Sequence, residues 1–292
     1  MCSLFGARAQ PDCRMKFNIS HTTRYTYSQP LLYSVQTLHL WPASGPCQTV
    51  EQWGIRTPGT LHAQLDGQGN QVHSFSLVRR PEAALQHISV VAKGQVTTHG
   101  TGEFVDTGPL HPAFFLRSTP LAEPHPRMAM WALQTVPALM ATRARSEQPT
   151  AADLVALASA VADKVQYRQG STGVETTALE AFDWELGVCQ DQAHVMVAVC
   201  RSIGLPARYV SGYFFAANAP ELASHAWVDV CIHSQENRWI SLDVTHRCTT
   251  DERHIRLAAA TDYTACLPIK GLRRGGGEER MDVSIRIEPL TG

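Results

Sequence analysis

The 292-residue sequence predicts an α+β protein in which an antiparallel, sandwich-like N-terminal β domain precedes a domain of helices and strands. Three observations predict this class. Alternating apolar residues recur in short runs between residues 15 and 96, with turn-forming residues between them, as in antiparallel sandwiches. Apolar residues at helical spacing begin after residue 150. Three more strand-like runs follow them, at 207–214, 225–232 and 239–244, an order typical of α+β folds.

The composition divides the chain into four segments. Residues 1–14 form an N-terminal extension, 15–107 the β-rich domain, 108–126 a linker, and 127–292 the second domain with a C-terminal strand segment. The linker is assigned because prolines discourage regular structure; they stand at positions 109, 112, 120, 124 and 126. A glycine-rich turn at 271–277 precedes a last alternating run, whose apolar residues are Met281, Val283, Ile285 and Ile287.

Two helix starts carry the capping-box pattern. Thr150 is followed three residues later by Asp153, and Thr177 by Glu180. In each pair the hydroxyl and the carboxylate can bind the free N–H groups of the first helical turn. Helices are therefore expected to begin directly after Thr150 and Thr177.

The composition argues against several classes of function. A net charge of −1 and a pI near 6.9 give no electrostatic footprint for nucleic acid or an anionic membrane, so neither is an expected partner. The eight cysteines form no C-x-x-C pair and the thirteen histidines no metal-binding spacing. We therefore expect no metal, no cofactor and reduced thiols. No stretch resembles a signal peptide or a membrane span, which favours a cytoplasmic protein.

Cys189 stands where a Gly187-Val188 loop enters a third predicted helix, which ends near Gly204 and Pro206. The unpaired N–H groups and the positive dipole end of such a helix would stabilise a thiolate at its first residue. Free cysteines are also often small buried thiols that only pack. The position of Cys189 alone leaves both interpretations open.

His225 and Asp243 lie off the apolar layer of two predicted strands. In each strand every second residue is apolar, which leaves His225 and Asp243 on the opposite face. The polar chain between the strands suits a hairpin. If that hairpin is centred on Ser234, residue 225 faces residue 243 on one rung. A slip of two residues would keep the shared face and break the rung.

A thiolate, an imidazole and a carboxylate together suit acyl transfer. Near neutral pH the imidazole can activate the thiol and protonate a leaving amine. The carboxylate accepts the proton on the other imidazole nitrogen and fixes the tautomer. For His225 and Asp243 taken singly, a surface ion pair is an equally open interpretation.

Three stretches around these residues carry a resemblance to a known family: GVCQDQAH (187–194), RSIGLPARYVSGY (201–213) and SHAWV (224–228). They resemble the bacterial transglutaminase-like family, whose core is similar to papain-like cysteine proteases. HTTRYTYS (21–28) and GNQVH (69–73) resemble the β-rich N-terminal domain of that family. The resemblance implies a transglutaminase-like core after residue 126. It further implies that Cys189 is the nucleophile, His225 the base and acid, and Asp243 the orienting carboxylate.

Some positions depart from the family pattern or leave their role open. Gln192 stands where the family usually has an aromatic residue after Cys-Gln-Asp, and Val244 where it usually has proline. Neither change removes a reacting group, so both concern the surrounding pocket. Tyr167 resembles an aromatic residue that the family keeps near the site and is a candidate oxyanion or pocket residue, although a core tyrosine fits equally. Trp184 is a candidate to line the acyl pocket or only to pack.

We therefore expect a cysteine-nucleophile acyl-transfer enzyme that acts on carboxamide or peptide bonds of a peptide or protein substrate through an acyl-thioester. Hydrolysis by a peptidase or amidase is favoured because water is always present, whereas transamidation needs a site that excludes water and admits an amine. A protein-glutamine transglutaminase is the second interpretation. A non-catalytic binding module is the third, against which an intact triad argues.

Overall fold

The computed structural model describes residues 14–78, 85–100, 102–145, 147–217 and 224–290. Except for Arg14, the predicted extension 1–14 therefore lies outside the described residues. In chain order the strands are β1 (Arg14–Leu38), β2 (Gln48–Arg56), β3 (His62–Leu65), β4 (Gln71–Val78), β5 (Leu85–His99), β6 (Glu103–Val105), β7 (Gln166–Tyr167), β8 (Leu186–Gly187), β9 (Ala207–Phe214), β10 (Ser224–His233), β11 (Arg238–Asp243), β12 (Cys248–Thr249), β13 (His254–Ala260), β14 (Ile269–Gly275) and β15 (Glu279–Leu290). The helices are α1 (Pro126–Thr135), α2 (Pro137–Ala144), α3 (Ala151–Lys164), α4 (Ala178–Trp184) and α5 (Cys189–Ser202). Within the described residues, none of these helices is long and apolar enough to cross a membrane.

The N-terminal domain is built around β1, a strand of 25 residues. Within the described residues its sheet has the order β2-β5-β1-β4-β3, with β14 and β15 also paired to β1. Side chains alternate along β1, as the sequence pattern predicts. Phe17, Ile19, Tyr25 and Tyr27 are buried on one face together with His21 and Thr23, and the residues that alternate with these six are more exposed. A β-rich domain followed by a helix-containing core confirms the predicted α+β class.

The C-terminal strand segment belongs to this N-terminal sheet, and its predicted place in the second domain is wrong. β14 and β15 run antiparallel to β1 and pair with its two halves in turn. The glycine-rich stretch is a bend within this long ladder, where glycines 275–277 have positive φ angles of 80°, 89° and 62°. Alternation predicts a strand, but it does not identify the distant strand with which it pairs.

Two other segments depart from the predicted boundaries. β6, assigned by sequence to the N-terminal domain, pairs with β11 of the second sheet. The predicted linker is also packed into the fold: a 3₁₀ turn at Pro112–Leu116 buries Phe115 edge-on against Trp239. The buried guanidinium of Arg201 donates to the backbone carbonyls of Phe115 and Ala122. The prolines of the predicted linker restrict helix formation but do not prevent tight packing.

The second sheet has the order β12-β11-β10-β9-β13. β9, β10 and β11 match the three predicted strands to within one residue at each end. Helices α3 and α5 pack on one face of this sheet, where the predicted apolar rows of β10 and β11 join their core. On the other face, Tyr213, Ile255 and Leu257 enter the core of the N-terminal domain. The central strands are therefore buried on both faces.

Both predicted capping boxes form. Thr150 accepts the N–H of Asp153 on its hydroxyl at 3.2 Å, and the Asp153 carboxylate accepts the N–H of Thr150 at 2.9 Å. Thr177 and Glu180 make the same two bonds at the start of α4, at 3.3 and 2.9 Å. These local bonds fix the starts of α3 and α4.

A buried ion-pair network lies on the face of the second sheet that points to the N-terminal domain. The fully buried Asp229 accepts two bonds from Arg256, at 2.6 and 2.7 Å, and one from Arg208, at 2.9 Å. The hydroxyl of Ser241 donates to it at 2.6 Å. Burial raises the pKa of Asp229, but the two guanidinium groups more than offset this and hold it below its ordinary value.

Replacing Asp229 with asparagine should destabilise the fold. The substitution leaves two largely buried guanidinium groups without this carboxylate, and breaking a buried pair in this way costs about 3–5 kcal/mol. Urea denaturation measures the free energy of unfolding. The matched control is Asp163→Asn, which removes an exposed ion pair with Arg247 at 2.7 Å and should cost less than about 1 kcal/mol. An equally small loss in both variants would contradict a stabilising role for the network.

Candidate active site

Cys189 is the first residue of α5 and is partly exposed. The extended residue Val188 leads into it, and the carboxylate of Asp191 closes the helix start by accepting the N–H of Val188 at 2.8 Å and the Thr172 hydroxyl at 2.6 Å. A Cβ atom on Gly187 would lie 2.6 Å from that of Asp191, so this position requires glycine. The helix start thus has a fixed geometry, with the sulfur at its positive end.

His225 and Asp243 form the bond that the shared-face prediction requires. His225 Nε2 donates to Asp243 Oδ2 at 2.8 Å, and the two side chains are 5% and 0% exposed. A surface ion pair, the alternative interpretation, is therefore wrong. The Cys189 sulfur interacts with the same imidazole. Since Nε2 is engaged by Asp243, Nδ1 is the ring nitrogen left for the sulfur.

The predicted rung between residues 225 and 243 is wrong. β10 and β11 pair Val228 with Leu242, a register two residues away from the predicted one. The turn occupies residues 234–237 rather than centring on Ser234, and the ladder shifts between Cys231 and His233. Such an irregularity inserts residues without changing the hydrophobic pattern, so it is not visible in the sequence. His225 therefore reaches Asp243 diagonally.

Asp243 also binds two histidines that the sequence pattern did not identify as site residues. Its Oδ2 atom accepts His246 Nδ1 at 2.7 Å and His254 Nε2 at 2.9 Å, and Oδ1 accepts the backbone N–H of His246 at 3.0 Å. On the other side of the His254 ring, Nδ1 lies 3.0 Å from the Asp251 carboxylate. His246 follows Asp243 by three residues, so the sequence could have indicated that the two lie close together. His254 lies on another strand, β13, and nothing in the sequence indicates that it approaches Asp243.

Burial and charge act in opposite directions on the two central groups. Burial lowers the pKa of His225, but the charge and hydrogen bond of Asp243 and the nearby Cys189 sulfur raise it well above its ordinary value. Burial raises the pKa of Asp243, but His225 and the bonds from His246 and His254 hold it well below its ordinary range. The pair is therefore an imidazolium and a carboxylate at neutral pH.

Aromatic rings hold the imidazoles in place. Phe214, the last residue of β9, stacks on His246 with ring centroids 4.3 Å apart and contacts His254 at 4.9 Å and His225 at 5.4 Å. Trp227 meets His254 edge-on at 5.4 Å. These contacts restrict rotation of the imidazoles and shield the carboxylate from water.

Gln192, the departure from the family pattern, connects three parts of the site. Its Nε2 donates to the carbonyl of Val165 at 2.8 Å, and its Oε1 accepts the Thr245 hydroxyl at 2.7 Å. The side chain is buried. It therefore joins the first turn of α5 to the loop that follows Asp243, in a position where an aromatic side chain could not make both bonds.

The two candidate pocket residues have different surroundings. Tyr167 pairs through β7 with Gly187, two residues before Cys189, and is 43% exposed. Burial and the nearby Cys189 raise the pKa of Tyr167. It is thus a partly exposed neighbour of the sulfur and not a core tyrosine. Trp184 is 52% exposed and, within the described residues, has no hydrogen bond or ring contact with the other four candidates; its pocket role stays a prediction.

One group of side chains has the composition of a metal site. The ligand atoms of His225, Asp243 and His254 lie within 4.8 Å of one another. Both imidazole nitrogens already point to one carboxylate oxygen, at 2.8 and 2.9 Å. A metal ion would have to displace these two hydrogen bonds, so the arrangement fits a hydrogen-bonded cluster better than a metal centre.

Comparisons with known proteins agree on the two parts of the chain. The family model of the transglutaminase-like superfamily matches residues 138–244, and that of the bacterial transglutaminase-like N-terminal region matches residues 17–97. An uncharacterized protein of Mycobacterium leprae is 31% identical over 289 residues, covering 94% of this chain and 99% of its own length. An uncharacterized protein of Mycobacterium bovis is 26% identical over 307 residues, covering 95% and 94%.

The fold also has a solved counterpart. A crystal structure from Cytophaga hutchinsonii, provisionally named a cysteine protease, superimposes with a TM-score of 0.73 at 18% identity. The superposition covers 96% of this chain and 92% of that chain. The likeness extends over both the N-terminal sheet and the helical core.

Asp243→Asn should lower the pKa of His225. The substitution removes the negative charge that offsets burial, so the remaining burial favours the neutral ring. Histidine NMR shifts followed against pH measure this value, with His225→Gln for assignment and Asp163→Asn as control. Because the pKa of His225 is raised on folding, its contribution to stability is complete below about pH 6.5 and lost as pH rises through the folded value. An unchanged value in Asp243→Asn would contradict the coupling.

Proposed function

The chain belongs to the bacterial transglutaminase-like family, and we propose that it is a cysteine-nucleophile hydrolase of peptide or carboxamide bonds. The 2.8 Å bond between His225 and Asp243, beside Cys189 at the start of α5, carries this proposal. The three groups are a nucleophile, an acid and base, and an orienting carboxylate in mutual reach. A binding module without turnover would have no use for an imidazolium held beside a partly exposed cysteine sulfur.

The first half of the reaction forms an acyl-enzyme. The Cys189 thiolate attacks the substrate carbonyl, a C–S bond forms, and the carbonyl oxygen becomes an oxyanion. His225, protonated in the resting ion pair, gives its proton to the leaving amine as the C–N bond breaks. The products are a free amine, or ammonia from a side-chain amide, and an acyl-thioester on Cys189. His225 is then neutral and ready to act as a base.

The second half returns the enzyme to its starting state. His225 takes a proton from water, the oxygen attacks the thioester carbonyl, and the C–S bond breaks to release a carboxylic acid. Asp243 keeps Nε2 protonated throughout and stabilises the imidazolium, without itself taking the proton. His254, held between Asp243 and Asp251, and His246 keep that carboxylate in position.

Two groups can stabilise the oxyanion. The backbone N–H of Cys189 is a donor at the helix start, where first-turn N–H groups have no partner within the helix. We assign the second donor to the hydroxyl of Tyr167, which β7 holds next to Gly187. Preorganised donors of this kind act only on the charge that develops during the reaction.

Water is the acceptor we favour. It needs no binding site of its own, whereas an amine acceptor requires a second pocket that also excludes water. The cysteine protease name given to the Cytophaga protein supports the same choice. Transfer to an amine, as in a protein-glutamine transglutaminase, is the second candidate because it would use the same acyl-thioester.

Cys189→Ala should abolish product formation. The test incubates wild type and variant with a peptide library and a primary amine and identifies products by mass spectrometry. Wild type should give hydrolysis products and, after an acid quench, an acyl adduct on Cys189. Cys189→Ser is the matched control, since it keeps the size of the side chain but lacks a thiolate. Equal product from wild type and Cys189→Ala would disprove the nucleophile, and an excess of amine adducts would make transglutaminase the activity.

Tyr167→Phe should lower kcat by about 10²-fold with little change in KM, because an oxyanion donor acts in the transition state and not on the bound substrate. Steady-state kinetics on a substrate found in the library experiment measure both constants. Trp184→Phe is the control: a residue that lines the acyl pocket should change KM more than kcat. Full activity of Tyr167→Phe would remove this tyrosine from the oxyanion site.

A further inference from the structure

The strand β15 forms an outer edge of the N-terminal sheet. One of its edges pairs with β1 from Lys16 to Tyr27, and no strand among the described residues pairs with the other. An edge strand of 12 residues presents a row of backbone N–H and C=O groups, which proteins usually cover or protect. Glu279–Leu290 is therefore a surface on which another strand can add.

Apolar side chains are exposed along this edge. Met281 is 57% and Val283 50% exposed. They lie on the same face as Ile285 and Ile287, which are only partly buried against the N-terminal core. These four side chains continue the apolar face of the sheet up to its edge, where Met281 and Val283 are exposed to solvent.

The opposite face of β15 carries a series of charges that is complementary to itself when reversed. Its exposed residues are, in order, Arg280, Asp282, Ser284, Arg286 and Glu288. Arg280 and Asp282 meet each other within the strand at 3.0 Å, whereas Arg286 and Glu288 have no ion-pair partner within the described part of the chain. The signs read positive, negative, neutral, positive, negative, so they reverse on passing through Ser284.

A second copy of β15, placed antiparallel about a twofold axis at Ser284, meets this series with opposite charges. Arg280 then faces Glu288 of the other copy, and Asp282 faces Arg286, each twice by symmetry. On the apolar face Met281 meets Ile287. Directly opposite side chains are about 4.5–5.5 Å apart at Cβ against about 7–8 Å for diagonal neighbours, so these rungs dominate the interaction.

The neighbouring symmetric registers lack this match. A twofold axis at residue 283 places Arg280 opposite Arg286, and one at residue 285 places Asp282 opposite Glu288. An axis between two residues would bring side chains from opposite faces onto one rung, which an antiparallel pair does not allow. Ser284 is therefore the centre at which both charged rungs are attractive.

We infer that the protein forms a symmetric dimer in which two β15 strands pair antiparallel across a twofold axis at Ser284. The N-terminal sheets of the two copies become one continuous sheet, and Met281 and Val283 are covered. A second copy fits better than an unrelated strand because a strand of the same sequence supplies the complementary charges in the required order. This interface is separate from Cys189 and independent of the proposed activity.

Light scattering during size-exclusion chromatography and sedimentation across a concentration series test the dimer. We expect a mass near twice 32.1 kDa that falls on dilution. Asp282→Arg or Arg286→Asp alone turns two attractive rungs into repulsive ones and should raise the dissociation constant about tenfold or more. The double variant D282R/R286D restores opposite charges and should return it to within about threefold of wild type. Circular dichroism and thermal melts establish that each variant is folded.

Cross-linking tests the position of the axis. The S284C variant should be joined to itself by a short bismaleimide, as identified by peptide mass spectrometry. The matched control is T22C: Thr22 pairs with Ser284 one strand further in, so its two copies would be about 14 Å apart, three strand spacings, and beyond the same reagent.

Three results would overturn the inference. They are a monomer at every concentration, a dimer insensitive to both single charge reversals, or a folded double variant that stays monomeric. A monomer that instead binds an extended peptide along β15 would assign the edge to that peptide and exclude the dimer.

Discussion

A sheet buried on both faces requires each polar side chain within it to find its partners inside the protein. Helices cover one face of the second sheet and the N-terminal domain covers the other. Two carboxylates, Asp229 and Asp243, are fully buried there. Asp229 is neutralised by arginines, which stay charged at all relevant pH values, and Asp243 by histidines, which titrate. The first group is suited to stability, and the second can exchange protons.

The same constraint makes the N-terminal domain part of the site's architecture. Tyr213 and Ile255 flank the site strands and pack into the core of that domain. The chain then returns through β14 and β15 to pair with β1, so the first and last described strands are neighbours. The N-terminal sheet is thus built from residues at both ends of the described chain.

The sequence predicted what depends on local order. Cys189 at a helix start, the caps at Thr150 and Thr177, and the strands β9 to β11 follow from spacing and hydrogen-bonding chemistry within a few residues. The family resemblance, now established, added the grouping of the triad, whose catalytic role is still a proposal. Distant pairing could not be predicted: the partner of β15, the displaced register of the hairpin and the approach of His254 to Asp243 depend on tertiary contacts. The role of Gln192 could not be predicted either, because both of its hydrogen-bonding partners are far away in sequence.

The bond from Thr245 to Gln192 has a consequence for how the protein meets a substrate. It links the turn after Asp243 to the first turn of α5, and the cap at Asp191 fixes the other side of that turn. The groups to which we assign the reaction are thereby tied together by hydrogen bonds within the protein itself. Preorganisation of this kind means that binding energy is not consumed in assembling the site. Under the proposed function, adaptation to different side chains of a substrate would fall to exposed residues near the start of α5, such as 168–170 and 173–175, so that selectivity could change while the geometry of the site stays constant.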